Sequence, residues 1–308
     1  MAFVMNEEKI IAFWPMSFSC LGEKNLITGS PNRSETRFLF RDDGGSSYIA
    51  EGYSLGKQQM QIRQNKLLEF FAGKQIKAVH PFCRTRSGEH GTEHNGLFWQ
   101  IRPYIPAENV PRTAFAENPD HGFLWAEFLL QMKDSIHGSD SPPPMPNVPF
   151  YMLDFLPNLL AHAERSMPSI VGELNKIITL LTKFFKWERT AGSMFAHGDY
   201  HPGNILTAGG KIQAVIDWEF AGLKFPGYDM ALLIGCLAMD DPKNLSSPAV
   251  TALQNTLYRN GFMPESAWDF LPQMIAATRL GWLGEWLTLN DRILVAQELA
   301  LLEILLKN

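Results

Sequence analysis

The chain reads as an α+β protein: a small antiparallel sheet carrying one helix comes first, and a larger, mostly helical part follows. Three observations carry that reading. Two strand-like runs joined by a tight-turn signal occupy residues 37–53. A single segment of helical period separates this hairpin from two further strand-like runs. Beyond Pro106 the hydrophobic pattern is helical almost to the end. With 308 residues, 45% of them hydrophobic and 19% charged, the chain has ample apolar material for one large core or two modest ones. The expected division is a first lobe over 1–105 and a helical second lobe over 106–308.

Taken in order, Arg37 to Arg41 leads into Asp42-Asp43-Gly44-Gly45, a hairpin turn, and then into Ser46 to Tyr53. Leu55 to Ala72 follows with Met60, Ile62, Leu67, Leu68, Phe70 and Phe71 at helical spacings, and Gly73 is placed to close the helix. Strands are expected at Phe82 to Arg86 and Leu97 to Ile105, joined by the turn-rich Ser87 to Gly96. In the second part, Ala126 to Ile136 reads as a helix and Ser139 to Pro149 as a proline-rich connection that cannot be helical. Val171 to Trp187 reads as one helix, with Leu174, Ile177, Ile178, Leu181 and Phe185 on one face. A loop with two short strands spans Met194 to Phe220, and helices, including Trp268 to Leu287 and Ile293 to Leu306, fill the rest.

Composition excludes several classes. With 27 Lys+Arg against 32 Asp+Glu, the net charge of −5 disfavours a nucleic-acid partner held by phosphate neutralisation. Cys20, Cys83 and Cys236 are too widely spaced for a zinc ribbon and suit a reducing compartment. The longest apolar run, Met230 to Met239, is half of the ~20 residues a spanning helix needs, so no membrane partner is expected. The opening MAFVMNEEKI puts acids where a signal peptide carries positive charge. A soluble, cytoplasmic protein is the expectation.

The chemistry concentrates in Phe195 to Leu206, FAHGDYHPGNIL, and Ala214 to Glu219, AVIDWE. Gly, Pro, Asp and Asn in company can make a plain polar turn. However, Asp217 follows the apolar Ala214-Val215-Ile216, and an acid at the end of a buried strand needs compensation. Asp199, Asn204 and Asp217 together supply the oxygen groups that phosphoryl transfer uses: one acid to take the acceptor's proton, an amide and an acid to hold Mg²⁺. A hairpin across Gly209-Gly210 would bring Asp217 back beside the first loop.

On these residues the chain resembles the aminoglycoside phosphotransferase and choline kinase family of protein-kinase-like enzymes. The family loop H-G-D-x-H-x-G-N is met by His197, Gly198, Asp199, His201, Gly203 and Asn204. The family's I-D-[WF]-[ED] strand end is met by Ile216, Asp217, Trp218 and Glu219. AGLKFPGYDMALL is similar to the family's A-G-x-G-D-P-x-x-D-L-A, with Pro226 and Asp229 matching and Phe225 replacing an acid. The resemblance implies a protein-kinase-like two-lobed fold and a kinase using Mg²⁺ and ATP or GTP to phosphorylate a small-molecule hydroxyl. It implies Asp199 as catalytic base, Asn204 and Asp217 as metal ligands, and His197, His201, Glu219 and Asp229 in support. Adenine would meet backbone near Arg102 to Tyr104.

One departure stands out. Relatives carry a Lys on the strand after the hairpin that grips the nucleotide phosphates and pairs with a Glu on the next helix. Here Glu51 and Gln64 align with those positions, with Lys57 and Lys66 nearby as alternative cations. A kinase-like protein that binds a ligand or partner without transferring phosphate is therefore the competing reading. Three other constellations weigh less. His90 and His94 have a zinc-like spacing, but three glycines nearby favour a solvated hairpin tip. Gly198-Asp199-Tyr200-His201 echoes binuclear phosphoesterases, yet no histidine follows Asp217. Trp282 and Trp286 share a helical face, where core packing is favoured over an aromatic acceptor wall. The acids Asp240, Asp241, Asp269 and Glu285 read as a solvated surface or as an amine-binding face.

Overall fold

The structure, a computed structural model, describes residues 7–21, 34–137, 142–144 and 148–307. Met1 to Asn6 of the opening segment, and 139–141 and 145–147 of the proline-rich connection, lie outside the described residues. In chain order the first elements are α1 (Glu7–Ile11), β1 (Cys20–Leu21), β2 (Thr36–Arg41), β3 (Ser47–Ser54), α2 (Gln58–Gly73), β4 (Thr92–His94) and β5 (Leu97–Pro103). Then come α3 (Ala114–Glu117), α4 (Pro119–His137), α5 (Met152–Ser166), α6 (Val171–Leu180) and α7 (Thr182–Glu188). Four short strands follow: β6 (Met194–Ala196), β7 (Ile205–Ala208), β8 (Lys211–Val215) and β9 (Gly222–Lys224). The chain ends in α8 (Tyr228–Asp240), α9 (Pro248–Arg259), α10 (Leu271–Thr288) and α11 (Arg292–Leu306). Two compact units form. One holds the described chain up to Glu108 together with 142–144 and Gly203–Glu219, and the other holds Asn109–His137, the chain from 148 to Pro202, and Phe220 onward. The chain thus returns to the first unit at a stretch that sequence order alone places beyond residue 106.

The first unit is built on an antiparallel sheet in the order β1-β2-β3-β5-β4. Its hairpin turn forms as the sequence predicts: the Ser46 N–H donates to Asp42 Oδ1 at 2.8 Å, and Gly45 takes a φ of 81°. Strand alternation gives the sheet two unlike faces. Phe38, Phe40, Ala50, Trp99 and Ile101 pack against Ile10, Ile11 and Trp14. The residues between them in sequence include Arg37, Glu51, Tyr53 and Arg102, and these four line a cavity. Helix α2 buries Leu67, Leu68 and Phe71 and ends at Gly73, as the sequence suggests, and the turn beyond it is made at Gln75 with a left-handed φ of 64°.

Two local expectations need correction. Phe82 to Arg86 is not a strand, because its N–H groups go to scattered partners: Cys83 to the Ile101 carbonyl and Arg86 to the Phe13 carbonyl. The ladder on that side of β5 is taken by β4. His90 is not at a solvated tip: it is buried, with the Asn65 amide 3.0 Å from its Nδ1. The tip is Asn95-Gly96, both at positive φ.

The β7–β8 hairpin is tied into the first unit by several contacts. The Val215 N–H donates to the Ala78 carbonyl at 2.8 Å, and His80 Nε2 lies 2.8 Å from the Gln213 carbonyl. The Trp218 ring packs 5.4 Å from that of Phe71, and Leu206, Ala214 and Ile216 cluster with Ile105.

In the second unit α10 packs against α8, α5 and α11, and α4 lies along α9. α8 is buried along almost its whole length, which explains its unbroken apolar sequence. The expected single helix over Val171 to Trp187 is interrupted at Leu181, so α6 and α7 are separate. α5 has no counterpart in the sequence reading; Pro157 lies inside it. Trp282 and Trp286 are half-buried rather than core. The Trp282 ring meets His201 edge-on at 5.7 Å, and the Trp286 indole N–H donates to Glu298, itself paired with the buried Arg279.

Candidate active site

The loop that carries Asp199 leaves β6, which pairs with β9 in a two-stranded ribbon. At Gly198 the chain turns through a φ of 86°, and a Cβ there would stand 2.2 Å from the Phe220 carbonyl oxygen. Only glycine fits so close a backbone approach at that conformation. The turn is held from below by Asp229, near the start of α8. Its Oδ2 accepts the His197 N–H at 2.7 Å and its Oδ1 accepts the Gly198 N–H at 2.8 Å. The Asp199 N–H donates to Nδ1 of the fully buried His197 at 3.2 Å. His201 Nε2 lies 3.6 Å from Asp199 Oδ1. Tyr200, between them, is buried against Phe128 with the rings stacked at 5.5 Å, which anchors the middle of the loop.

Charge at this turn is finely set by burial. Removal from water pushes Asp229 up to about 6, despite the two N–H donors that favour its ionised form. Burial likewise brings Lys224 down to about 8, against the pull of Asp229. Lys224 Nζ donates to the Phe220 carbonyl at 2.6 Å, the same oxygen that crowds Gly198. Nothing about the position of this lysine in GLKF marks it in sequence as buried.

The second grouping lies in the first unit. The Ile216 N–H donates to the Asn204 carbonyl at 2.9 Å and extends the β7–β8 ladder by one bond. Asn204 and Asp217 therefore sit at the same end of the hairpin. Asp217 holds a left-handed φ of 68°, a conformation that a non-glycine residue keeps only when its surroundings enforce it. Asp217 and Glu219 line the cavity together with Glu51, Tyr53, Gln61, Gln64, Arg37 and Arg102.

The departure noted in sequence takes a definite form here. Glu51 is 7% exposed, and its Oε2 accepts from Arg102 Nε at 3.0 Å and from the Tyr53 hydroxyl at 3.2 Å. Burial, reinforced by this carboxylate, pushes the Tyr53 hydroxyl above its ordinary range, so it stays a donor. Gln64 lines the cavity, while neither Lys57 nor Lys66 does. The Tyr104 N–H is engaged by the Ser47 carbonyl, and Arg102 presents its side chain as well as its backbone to this region. A strand reading of WQIRP contains the signal: Arg102 alternates with the buried Trp99 and Ile101 and so falls on the opposite face.

A five-stranded antiparallel sheet carrying helix α2, a helical second unit, and a glycine-turned aspartate loop braced by a buried acid make up a protein-kinase-like fold. Residues 28–261 match the family model APH, described as the phosphotransferase enzyme family. The chain belongs to that family. Among solved structures it is similar to amicoumacin kinase hAmiN in complex with AMP-PNP and Ca²⁺, with a TM-score of 0.70 at 16% identity over 100% of this chain and 92% of that one. It is also similar to an aminoglycoside phosphotransferase from Alicyclobacillus acidocaldarius, with a TM-score of 0.62 at 14% identity over 99% and 96% of the two chains. At these identities the likeness is one of fold. Homoserine kinase from Chelativorans sp. (strain BNC1) is 26% identical over 141 residues, 44% of this chain and 42% of that protein. The match thus spans less than half the length of this curated relative.

Proposed function

We propose that the chain is a small-molecule kinase that moves the γ-phosphate of ATP or GTP to a hydroxyl group with the help of Mg²⁺. The observation that carries this reading is the hairpin bond from Ile216 N–H to the Asn204 carbonyl, which keeps an amide and a carboxylate, Asn204 and Asp217, at one end of β7–β8. Among the described residues no group of three or more His, Cys, Asp or Glu gathers to hold a metal by itself. An amide and a carboxylate nevertheless suit Mg²⁺, which keeps waters and phosphate oxygens in its other positions. Bound to Asn204 and Asp217, the ion supplies charge neutralisation on the phosphate oxygens.

Asp199 orients the acceptor hydroxyl and takes its proton. The new P–O bond forms as the bond to the leaving diphosphate breaks, giving a phosphorylated acceptor and a nucleoside diphosphate. His197 and Asp229 hold the loop in the shape that presents Asp199, His201 stands beside it, and Glu219 lies two residues from Asp217 on the same cavity wall. Hygromycin B is bound in a related aminoglycoside phosphotransferase structure, and homoserine names another relative's substrate, so hydroxyl-bearing small molecules are the acceptor class to screen.

Glu51 favours a second reading, a kinase-like protein that binds without transferring phosphate. Calorimetric titration of ATP and GTP, with and without Mg²⁺, separates the two. Micromolar, Mg²⁺-dependent binding is expected; absence of binding by folded protein would replace the kinase reading with the second one. Asp199→Asn is expected to lower turnover by roughly 10²- to 10⁴-fold with nucleotide affinity retained. Undiminished turnover would remove Asp199 from its role.

A further inference from the structure

The family resemblance aligns Glu51 with a phosphate-gripping lysine, yet the cavity face of the sheet is not short of positive charge. Arg37 lies directly opposite Glu51 across β2–β3, and Arg102, opposite Ile49, lies diagonally across β3–β5. All three residues line the cavity. Two arginines less one glutamate leave this face at +1, the charge that a single lysine supplies in relatives. The helix side has changed in step. Gln61 and Gln64 of α2 line the same cavity with neutral amides, and each has its Oε1 buried without a hydrogen-bond partner. A neutral helix cannot serve as counter-charge to a cation, and Glu51 does so instead, from within the sheet.

We propose that Arg102 is the residue that grips the nucleotide phosphates, with Glu51 as its positioning carboxylate, so that the ion pair of this site is exchanged between strands rather than lost. The proposal rests on the kinase reading above. Glu51 meets Arg102 at Nε, 3.0 Å away, which leaves the terminal nitrogens of the planar fork to meet a ligand. That fork suits phosphate oxygens better than a lysine's point charge does. The Tyr53 hydroxyl, donating to the same Glu51 oxygen, fixes the carboxylate on its second side.

Removing Arg102 alone would strand a buried carboxylate and risk the fold, so the primary variant neutralises both partners, Arg102→Met with Glu51→Gln. For whichever of ATP and GTP the wild type binds, affinities are measured with Mg²⁺ for the corresponding diphosphate and for the nucleoside. The double variant is expected to lose roughly ten- to a hundredfold in diphosphate affinity, the worth of a charge-assisted contact, while nucleoside affinity stays within about twofold. A structural role alone would weaken both ligands together or neither, and either result overturns the assignment. Should the double variant fail to fold, Arg102→Lys decides, since it keeps a cation beside Glu51 but loses the planar fork: diphosphate affinity is expected to fall several-fold with nucleoside affinity unchanged, and an unchanged diphosphate affinity overturns the assignment. A folded wild type that binds no nucleotide overturns the kinase reading and this assignment together. A wild type that binds diphosphate, with an equally competent double variant, overturns this assignment alone.

Discussion

Asp229 and Glu188 are both buried carboxylates pushed up to about 6 by loss of water, and they respond to the same substitution in opposite ways. Asp229 uses both oxygens, one for the His197 N–H and one for Gly198. Asp229→Asn therefore faces one of those N–H groups with an amide NH₂, and a loss of about 1–3 kcal/mol is expected by thermal or denaturant unfolding. Glu188 uses Oε1 to accept the Met152 N–H at the start of α5, while its Oε2 is buried without a partner. Glu188→Gln keeps the acceptor and removes the buried charge. Because the folded value of Glu188 lies above its ordinary 4.5, the folded state holds a proton that the unfolded chain releases between about pH 4.5 and 6. Wild-type stability therefore falls relative to the variant as pH rises through that window. Between pH 4.5 and 7.5 the difference in unfolding free energy between variant and wild type is expected to shift by about 1–2 kcal/mol in favour of Glu188→Gln. A constant difference between the two pH values would contradict this. The roles of these acids were unequally legible: Asp229 sits in a recognisable spacing after Pro226, whereas Glu188 is one charge among several in FFKWERT and only packing distinguishes it.

Helix α4 lies so close to α9 that a Cβ at Gly122 would stand 2.0 Å from the Ala249 carbonyl oxygen and 2.8 Å from the Leu253 nitrogen. Backbone cannot retreat as a flexible side chain can. Gly122→Ala is expected to push the two helices apart and cost about 1–3 kcal/mol, although alanine is the better helix former. A neutral or raised melting temperature would show that the pair slides without cost. In sequence, the long apolar helices are the readable elements: α4, α10 and α11 each overlap an expected helix. α5 was hidden by Pro157, and the break at Leu181 leaves no mark because the hydrophobic face continues from Leu174 to Phe185 on either side of it. Phe82 to Arg86 has the composition of a strand but finds no continuous partner, and pairing, unlike propensity, cannot be read from one segment.

The two units differ in how they are threaded. The first is completed by Gly203–Glu219, so a fragment ending at Glu108 lacks the hairpin that covers Ala78, His80 and Phe71. Residues 1–108 produced alone are expected to show no cooperative unfolding transition. A sharp thermal transition in that fragment would mean that the sheet and α2 suffice. The chemistry-bearing loops were legible because their spacing is dense and specific, from His197 to Asn204 and from Ile216 to Glu219. The Arg102–Glu51 pair was not, because it joins strands 51 residues apart and depends on which face each side chain takes. This threading also has a cost during synthesis. On the ribosome, the apolar surfaces awaiting the hairpin must stay uncovered while roughly a hundred further residues emerge, an interval on the order of 5–20 s at ordinary elongation rates. The nascent first unit is thus a client for holding chaperones, and slowing translation between residues 109 and 203 is expected to lower the yield of soluble protein more than slowing it after residue 219.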